Sequence, residues 1–364
     1  MGWVSLEEIS IDGSMLEGGG QILRTSTALS ALTGKPLKVF NVRAKRSPPG
    51  LRMQHITAIR SVAALVDAET EGLKVGSKEI KFIPRTIKGG SFSFDIGTAG
   101  SVTLVLQALT PVSAYAPKKV FVEIKGGTNN QWAPPIEYMQ HVFFPTLKHM
   151  GFDGSVSLIR RGFYPKGGGI VRASLNPVKI LNPINLTGKP KVLRIWGLAY
   201  SCRLPSHIPQ RMVKSVEEFL RKKGFTELNL EIEDLQPQHG KCSIDPGCGI
   251  ILVAELENGF RIGADCLGEL GKPAEKVGLE AASSLYEQLV REAMVDFHLA
   301  DQLIIWISLA EGVSTFYTAK LTLHTLTSIE VCKQILGAKF KVEGELGKPA
   351  TITCEGIGLK NKFL

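Results

Sequence analysis

A unit of helix, strand, helix and strand, closed by a cluster of glycines, recurs along this chain of 364 residues. The first unit begins at glycines 18–20, the second at residues 97–101, and a third pattern starts near residue 300. Such a repeat restricts the fold, because each unit must bury its apolar helix faces against its own strands or a neighbouring unit. We therefore predict an α/β (α+β) core of three related units.

Apolar spacing predicts the individual elements of these units. The helices are expected after the glycines up to Gly34 and over 53–66, 101–109, 136–150, 300–310 and 328–336. The strands are expected at 37–42, 80–83, 91–95, 120–124, in pieces around 160–169, and at 321–323 and 339–342.

A different stretch separates the second and third units. Asn182-Pro183 and Gly188-Lys189-Pro190 resemble a boundary, because Gly and Pro interrupt regular structure. Beyond it we predict strands at 192–200, 228–232, 250–256 and 260–264 and helices at 208–223 and 274–293. We expect a small inserted α/β domain at 186–293, and a core formed by 1–185 and 294–364.

Charge and composition limit the function classes. Lys and Arg exceed Asp and Glu by nine, which favours an anionic partner such as a nucleotide or nucleic acid, or else a basic surface without one. The six cysteines form no CxxC pair, so a zinc site is not expected. Without a leader pattern or a long apolar stretch, we expect a soluble protein with no membrane partner, cytoplasmic or, in a eukaryote, nuclear.

Common nucleotide and hydrolase motifs are absent from the sequence. It contains no GxxxxGK[ST], no GxGxxG, no GxSxG and no HExxH. A nucleotide site in this chain must therefore be of another kind.

The segment 12–24 is the most informative short run. Three glycines entering a helix let backbone N–H groups approach an anion, with Glu17 before them as a candidate cation ligand and Arg24 one turn later. The alternative is a glycine turn whose acid interacts with the helix dipole. A second cluster, Arg43, Lys45, Arg46 and Arg52 before His55, suits a polyphosphate or a nucleic-acid backbone, or is a solvated basic loop.

His324 is the candidate nucleophile. Thr327 and Glu330 form a capping-box pattern that predicts a helix start at Ser328, so His324 is expected at a strand end just before a helix. The positive helix end would lower the pKa of the imidazole and keep it neutral and nucleophilic. The alternative is a hydrogen-bonded loop histidine. Gln107, Asp301 and Gln302 lie in apolar helices, where they contact either a ligand or the neighbouring backbone.

Taken together, these runs resemble the RNA 3′-terminal phosphate cyclases over essentially the whole chain. The matching segments are 17–24, 43–46 with 49–51 and 54–55, 97–101, 125–129 with 133–135, 162–169, 301–303 and 323–325. The resemblance implies a fold of three repeated units, each with two helices and a four-stranded sheet, as in enolpyruvyl transferases, with the small inserted domain.

The resemblance also implies a reaction. Such enzymes use ATP and a divalent metal (Mg or Mn) to convert an RNA 3′-phosphate to a 2′,3′-cyclic phosphate through adenylyl-histidine and adenylylated RNA, with release of AMP and pyrophosphate. His324 matches the nucleophile and Glu17 the metal-binding acid. The matching nucleotide-site positions are Arg24, Arg43, Arg46, Gln54, His55, Gln107, Pro134, Tyr138, His298, Asp301 and Gln302. His298 is a departure, because relatives have a Tyr that stacks on the base there.

Two alternatives belong to other classes. A non-catalytic cyclase-like protein of ribosome biogenesis would keep the fold without the nucleophile, but His324 and the 17–24 run argue against it. An enolpyruvyl transferase needs six units, for which this chain is too short. The sequence leaves the oligomeric state open, a homodimer included.

Overall fold

Three four-stranded sheets share one topology, in which the first two strands are parallel and the last two pair antiparallel beside them. The computed structural model describes residues 7–364. The first unit consists of β1 (Ile9–Asp12), α1 (Gly20–Thr33), β2 (Leu37–Phe40), α2 (Met53–Val66), β3 (Glu69–Glu71) and β4 (Ile80–Ile83), with strand order β1-β2-β4-β3.

The second unit repeats this order as β5-β6-β8-β7. Its elements are β5 (Gly90–Asp95), α3 (Val102–Ser113), β6 (Val120–Gly126), α4 (Ile136–Tyr138), a π-helical segment (Met139–Phe143), α5 (Phe144–His149), β7 (Gly154–Arg160) and β8 (Gly169–Leu175).

The third unit is interrupted after its first strand, β9 (Asn185–Leu186). The chain forms a separate sheet with order β11-β10-β12-β13, against which two helices pack. The elements of this insertion are β10 (Val192–Cys202), α6 (His207–Lys222), β11 (Leu228–Leu235), β12 (Gly247–Leu256), β13 (Arg261–Leu267) and α7 (Ala274–Val290). The third unit then continues with α8 (Phe297–Leu309), β14 (Glu311–Thr318), α9 (Leu323–Leu336), β15 (Lys339–Gly344) and β16 (Ala350–Ile357).

The predicted α/β fold class is confirmed. The topology also explains why the sequence repeat predicts this fold class. Each unit is a βαβαββ set, and β9 pairs in parallel with β14 across the insertion. The chain therefore stays in the core sheet through Leu186, which is the first residue of the predicted insertion. The division into domains at 185/186 and 293/294 stays a prediction. Among residues 7–364, no helix has the length and apolar character needed to cross a bilayer.

The first helix of each unit lies inside the molecule. Most residues of α1, α3 and α8 are buried, which is the pattern of helices surrounded by protein on all sides. α1 contacts α2, α3 and α9, and α8 contacts α3 and α9. Strands such as β6 alternate between buried and more exposed residues, as expected for a sheet with one solvent face. This arrangement places helix N-termini from different units side by side.

Several predicted elements differ from the structure. Residues 161–168 form the loop between β7 and β8 and not strand pieces. The predicted strand 321–323 is wrong, because the strand of this region is β14 and Leu323 already begins a helix. The helix predicted to end at residue 109 continues through Pro111 to Ser113.

The predicted helix 136–150 is continuous but contains a π-helical segment. Pro145 has no N–H to donate to the carbonyl of His141 four residues earlier. That carbonyl accepts instead from Arg261 Nη1 of the insertion, at 3.1 Å. The His141 carbonyl, which lacks a helical donor, therefore forms a hydrogen bond between the second unit and the inserted sheet.

Candidate active site

The N-termini of α1 and α9 meet at the border between the first and third units. The backbone N–H of Glu17 donates to Thr327 Oγ1 at 3.3 Å, and the Gln21 amide donates to Ser328 Oγ at 2.7 Å. Helix N-termini carry unpaired N–H groups and partial positive charge, which attract anions. The two helices therefore create an anion-binding border that neither unit has alone.

The glycine cluster lets two side chains lie directly on the start of α1. A Cβ at Gly19 would be 2.1 Å from Glu17 Oε2, and a Cβ at Gly20 would be 2.3 Å from His55 Nε2. Any larger residue would displace one of these side chains. The second and third glycines thus serve close packing around the helix start, beyond what a turn requires.

His324 is held by a glutamine that the sequence analysis assigned no role. Its Nδ1 lies 2.8 Å from Gln21 Oε1, while Gln21 Nε2 donates to Ser328 Oγ and to Asp301 Oδ2 at 3.1 Å. Because the amide nitrogen already faces two acceptors, its oxygen faces the imidazole, so Nδ1 carries the proton. Nε2 of His324 then has a free lone pair, on a side chain that is 52% exposed.

The electrostatic surroundings keep this imidazole neutral. Burial and the charges of Arg24 and Arg46 lower the pKa of His324 below its ordinary value. His324 also lies near the positive N-terminus of α9, which favours a lowered imidazole pKa, as the sequence predicted.

The predicted start of this last helix is wrong by several residues. α9 begins at Leu323, with Thr322 as N-cap accepting from the Thr325 N–H at 3.1 Å. Thr327 Oγ1 donates back to the Leu323 carbonyl and does not cap the helix. The Thr327 and Glu330 pattern therefore lies inside the helix, and His324 is in its first turn.

Glu17 is a buried acid beside the candidate nucleophile. Its side chain is 8% exposed. The Oε1 atom pairs with Arg46 and lies 3.9 Å from His324 Nε2. Oε2 is buried and has no hydrogen-bond partner among the described residues. An orphaned carboxylate oxygen fits a divalent cation, although residues 7–364 contain no cluster of three or more acidic, His or Cys ligands. A cation here would need substrate phosphate oxygens, as Mg²⁺ commonly does.

His55, Arg24 and Asp301 complete the polar surroundings. His55 Nδ1 accepts from the Arg52 N–H at 3.1 Å, so Nε2 carries the proton. Burial and the charges of Arg24, Arg43 and Arg52 lower the pKa of His55 to about 3. Burial lowers the pKa of Arg24 to about 10 and raises that of Asp301 to about 7. His55 is therefore a neutral donor at physiological pH.

Four of the predicted site residues line one cavity between α1, α3 and α8. Arg24, Gln107, Asp301 and Gln302 surround it together with Gln21 and Ser328, above the apolar Phe143 and Trp306. Its volume of about 30 Å³ holds roughly one water molecule. In this conformation the cavity holds only water-sized groups, and a base would enter it only if lining side chains moved. Gln302 Oε1 is buried there without a hydrogen-bond partner in the described part of the chain.

Three predicted residues are occupied with other contacts. The Arg43 guanidinium donates to the carbonyl of Gly50 at 2.8 Å and ties its own loop together. Gln54 Oε1 accepts from the Ser101 N–H at 3.3 Å. The Pro134 carbonyl accepts from Thr103 Oγ1 at 2.8 Å. Their predicted nucleotide contacts stay predictions.

Tyr138 and His298 both donate hydrogen bonds to Asp296, Tyr138 from its hydroxyl and His298 from its backbone N–H. Tyr138 is completely buried, and its hydroxyl donates at 2.6 Å to Asp296, the N-cap of α8. In this conformation it supports the helix that carries Asp301, and no part of it faces solvent. His298 is exposed in the first turn of α8, where the surrounding protein and the charges of His324 and Lys320 lower its pKa.

The fold and the site together define a protein of three repeated α/β units with a basic candidate site that contains a free imidazole. A sequence profile described as RNA 3′-terminal phosphate cyclase matches residues 15–342. The chain belongs to the RNA 3′-terminal phosphate cyclase family. This membership confirms the family and the enzyme class that the motifs predicted.

Relatives bearing this name cover nearly the whole chain. The RNA 3′-terminal phosphate cyclase of Ignicoccus hospitalis is 45% identical over 350 residues, which is 96% of this chain and 99% of the relative. That of Staphylothermus marinus is 45% identical over 356 residues, covering 97% and 99%. That of Caldivirga maquilingensis is 46% identical over 335 residues, covering 92% and 94%.

Proposed function

We propose that this protein is an ATP-dependent RNA 3′-terminal phosphate cyclase that acts through a covalent adenylyl-histidine at His324. The observation that carries the proposal is the imidazole itself. Gln21 holds its Nδ1–H, and its Nε2 is free beside Glu17 in a basic site. The names of the relatives supply the RNA substrate class.

In the first step His324 Nε2 attacks the α-phosphorus of ATP. The N–P bond forms as the bond to the bridging oxygen breaks, and pyrophosphate leaves with that electron pair. The imidazole then carries positive charge, which Nδ1–H shares with Gln21 Oε1. A neutral imidazole is needed for attack, and the lowered pKa of His324 supplies it.

Cationic side chains offset the charge of the triphosphate. Arg24 and Arg46 lie close enough to influence the pKa of His324, so their charges also act on a phosphate bound there. Glu17 would hold a divalent cation through its unpartnered Oε2. When bound, such a cation neutralises phosphate charge and assists departure of pyrophosphate.

Two transfers complete the reaction. An oxygen of the RNA 3′-phosphate attacks the adenylyl phosphorus, and the N–P bond breaks to release neutral His324. The vicinal 2′-hydroxyl then attacks the 3′-phosphorus, loses its proton to solvent and displaces AMP. This last step is intramolecular and therefore favoured by proximity. It requires the 2′-hydroxyl, which restricts cyclisation to RNA.

The decisive experiment is covalent labelling. Wild type, His324→Ala and His207→Ala are incubated with α-³²P-ATP and Mg²⁺ or Mn²⁺, denatured and examined for acid-labile, base-stable label. His207 is an exposed histidine at the start of α6 and serves as the control. We expect label on wild type and His207→Ala only. Label on His324→Ala would identify a different nucleophile.

The RNA steps are tested with two oligonucleotides that end in a 3′-phosphate. One has an ordinary terminal ribose, and the other has a 2′-deoxy terminal sugar. We expect the first to be cyclised with release of AMP and the second to accumulate an adenylylated end. A folded protein that neither takes label nor cyclises RNA would favour the non-catalytic alternative.

A further inference from the structure

Three loops next to the candidate active site form a single rim, which we call the aromatic rim. It consists of residues 97–101 before α3, 127–135 after β6, and 161–168 between β7 and β8. Thr128 N–H donates to the Gly162 carbonyl at 2.8 Å, and the Asn130 amide donates to the Ala99 carbonyl. A Cβ at Gly167 would be 2.7 Å from Ala99 Cα, so the third loop also lies directly on the first.

Two aromatic side chains on this rim have almost no protein around them. Trp132 is 97% exposed and Tyr164 is 81% exposed. Their loops are fixed at the backbone: Gly127 pairs with Ser101, Phe163 with Gly167, and the Lys166 N–H donates to Asp245 Oδ2 at 2.8 Å. The two large apolar rings are therefore exposed to solvent on a fixed backbone. This exposure is unfavourable unless a partner covers the rings.

The rim is connected to the candidate active site through α2. Gln54 accepts from the Ser101 N–H, and the adjacent His55 lies against Gly20 at the start of α1. A chain extending from a phosphate at His324 past His55 would therefore meet the rim. For a chain that extends in this direction, the aromatic side chains would lie beyond the reacting phosphate.

Basic side chains outnumber acidic ones along the rim, although Asp245 contacts its third loop. The segments 41–56, 97–101, 127–136 and 157–172 contain no Asp or Glu. They contain eight cations, Arg43, Lys45, Arg46, Arg52, Arg160, Arg161, Lys166 and Arg172. Arg161 is buried and paired with Glu137 and Glu233, so it adds no free charge to the rim. Lys166 is exposed and forms no ion pair with a residue in the range 7–364. A second copy of this chain would present the same positive charge, so the rim fits an anionic partner better than itself.

We propose that Trp132 and Tyr164 stack on the unpaired bases just 5′ of the RNA terminus whose phosphate reacts at His324. Aromatic rings beside cations are the surface that binds single-stranded nucleic acid without base specificity. The proposal rests on the proposed function for the identity of the RNA end. It assigns the rim to substrate binding and leaves the chemistry at His324 unchanged.

The test measures RNA binding without ATP. A 5′-fluorescein 12-nucleotide RNA with a 3′-phosphate is titrated with wild type, Trp132→Ala, Tyr164→Ala and the ring-preserving Trp132→Phe and Tyr164→Phe. Stacking of one base corresponds to a loss of affinity of about fivefold or more on truncation to Ala. We expect that loss in both Ala variants and recovery of most affinity in the Phe variants. Phe121→Ala, an exposed aromatic residue at the far end of β6, is the control and should bind like wild type.

Further measurements separate this proposal from the others. We expect a nucleoside 3′-phosphate to bind all variants equally and the ATP-dependent label on His324 to be unchanged. Wild-type affinity of both Ala variants for the 12-nucleotide RNA would overturn the stacking role while leaving the proposed function intact. Equal competition by a fully paired duplex would also overturn it, as would a wild-type dimer that Trp132→Ala converts to a monomer. If the wild-type protein bound the RNA but took no label from ATP, the proposed function would be overturned and the stacking role would stand.

Discussion

Gln21 is expected to position His324 for adenylylation, and Gln21→Met tests this directly. The methionine keeps the buried volume but removes the oxygen that accepts from His324 Nδ1–H. It also removes the donors to Ser328 and Asp301. The imidazole is then free to rotate and to carry its proton on Nε2, which is the atom that must attack.

The magnitude follows from how the hydrogen bond changes during the reaction. A neutral hydrogen bond contributes about 0.5–1.5 kcal/mol, whereas one to a charged group contributes about 1.5–3 kcal/mol. His324 is neutral before attack and positively charged after it, so the bond to Gln21 strengthens along the reaction. Because Gln21→Met loses the bond in both states, the barrier rises by the difference between them, about 1–1.5 kcal/mol, and single-turnover adenylylation should be slower by about 5- to 12-fold.

The assay is single-turnover labelling with α-³²P-ATP over a range of ATP concentrations. We expect the maximal rate to fall while the concentration of ATP at half-maximal rate changes little. Ser328→Ala removes a neighbouring bond of the same amide without touching His324, and should slow labelling by no more than about twofold. Gln21→Glu keeps an acceptor oxygen and should recover part of the rate, with the acid limb of the pH profile moved upward. A wild-type rate in folded Gln21→Met would refute the reasoning.

Three further predictions concern charge and burial. Arg46→Gln removes a charge that lowers the pKa of His324, so that pKa rises; the acid limb of labelling against pH should move to higher pH, and an unmoved limb would contradict the argument. Arg161→Met leaves the buried carboxylate of Glu137 without its ion-pair partner and should lower the free energy of unfolding in urea by about 3–5 kcal/mol. The exposed pair broken by Arg172→Met should cost less than about 1 kcal/mol. Tyr138→Phe should lower the free energy of unfolding by about 1–3 kcal/mol and leave the KM for ATP unchanged. A raised KM without loss of stability would support the nucleotide contact instead.

The parts of this molecule that follow local rules were predictable from the sequence. The helix ending at Gly34 and the helix over 53–66 depend on spacing and caps within a few residues, and both are present. The start of α9 was missed because Thr322 and Thr327 are both plausible caps, and packing against α1 decides between them. Residues 161–168 looked regular but form a loop that packs against two others.

The role of Gln21 was not predictable in this way. It is part of a recognised run, yet its contact with His324 joins residues 303 positions apart. No pattern within α1 distinguishes a glutamine that holds a histidine from one that caps a backbone group. The motif therefore indicated the neighbourhood of the site, and only the packing of the first unit against the third showed which atoms face each other.

The same positive charges suit both halves of the proposed reaction. Arg24 and Arg46 disfavour a protonated His324, which keeps the nucleophile free, and they attract the phosphate that it attacks. Once the adenylyl group is attached, the imidazole carries positive charge in surroundings that disfavour it. In the proposed reaction the Gln21 oxygen would offset only part of that cost, so the adenylyl-histidine would be high in free energy and the imidazole would leave readily when the RNA phosphate attacks. A more acidic site would hold the intermediate too firmly, whereas a site without Gln21 would lose the orientation of Nε2.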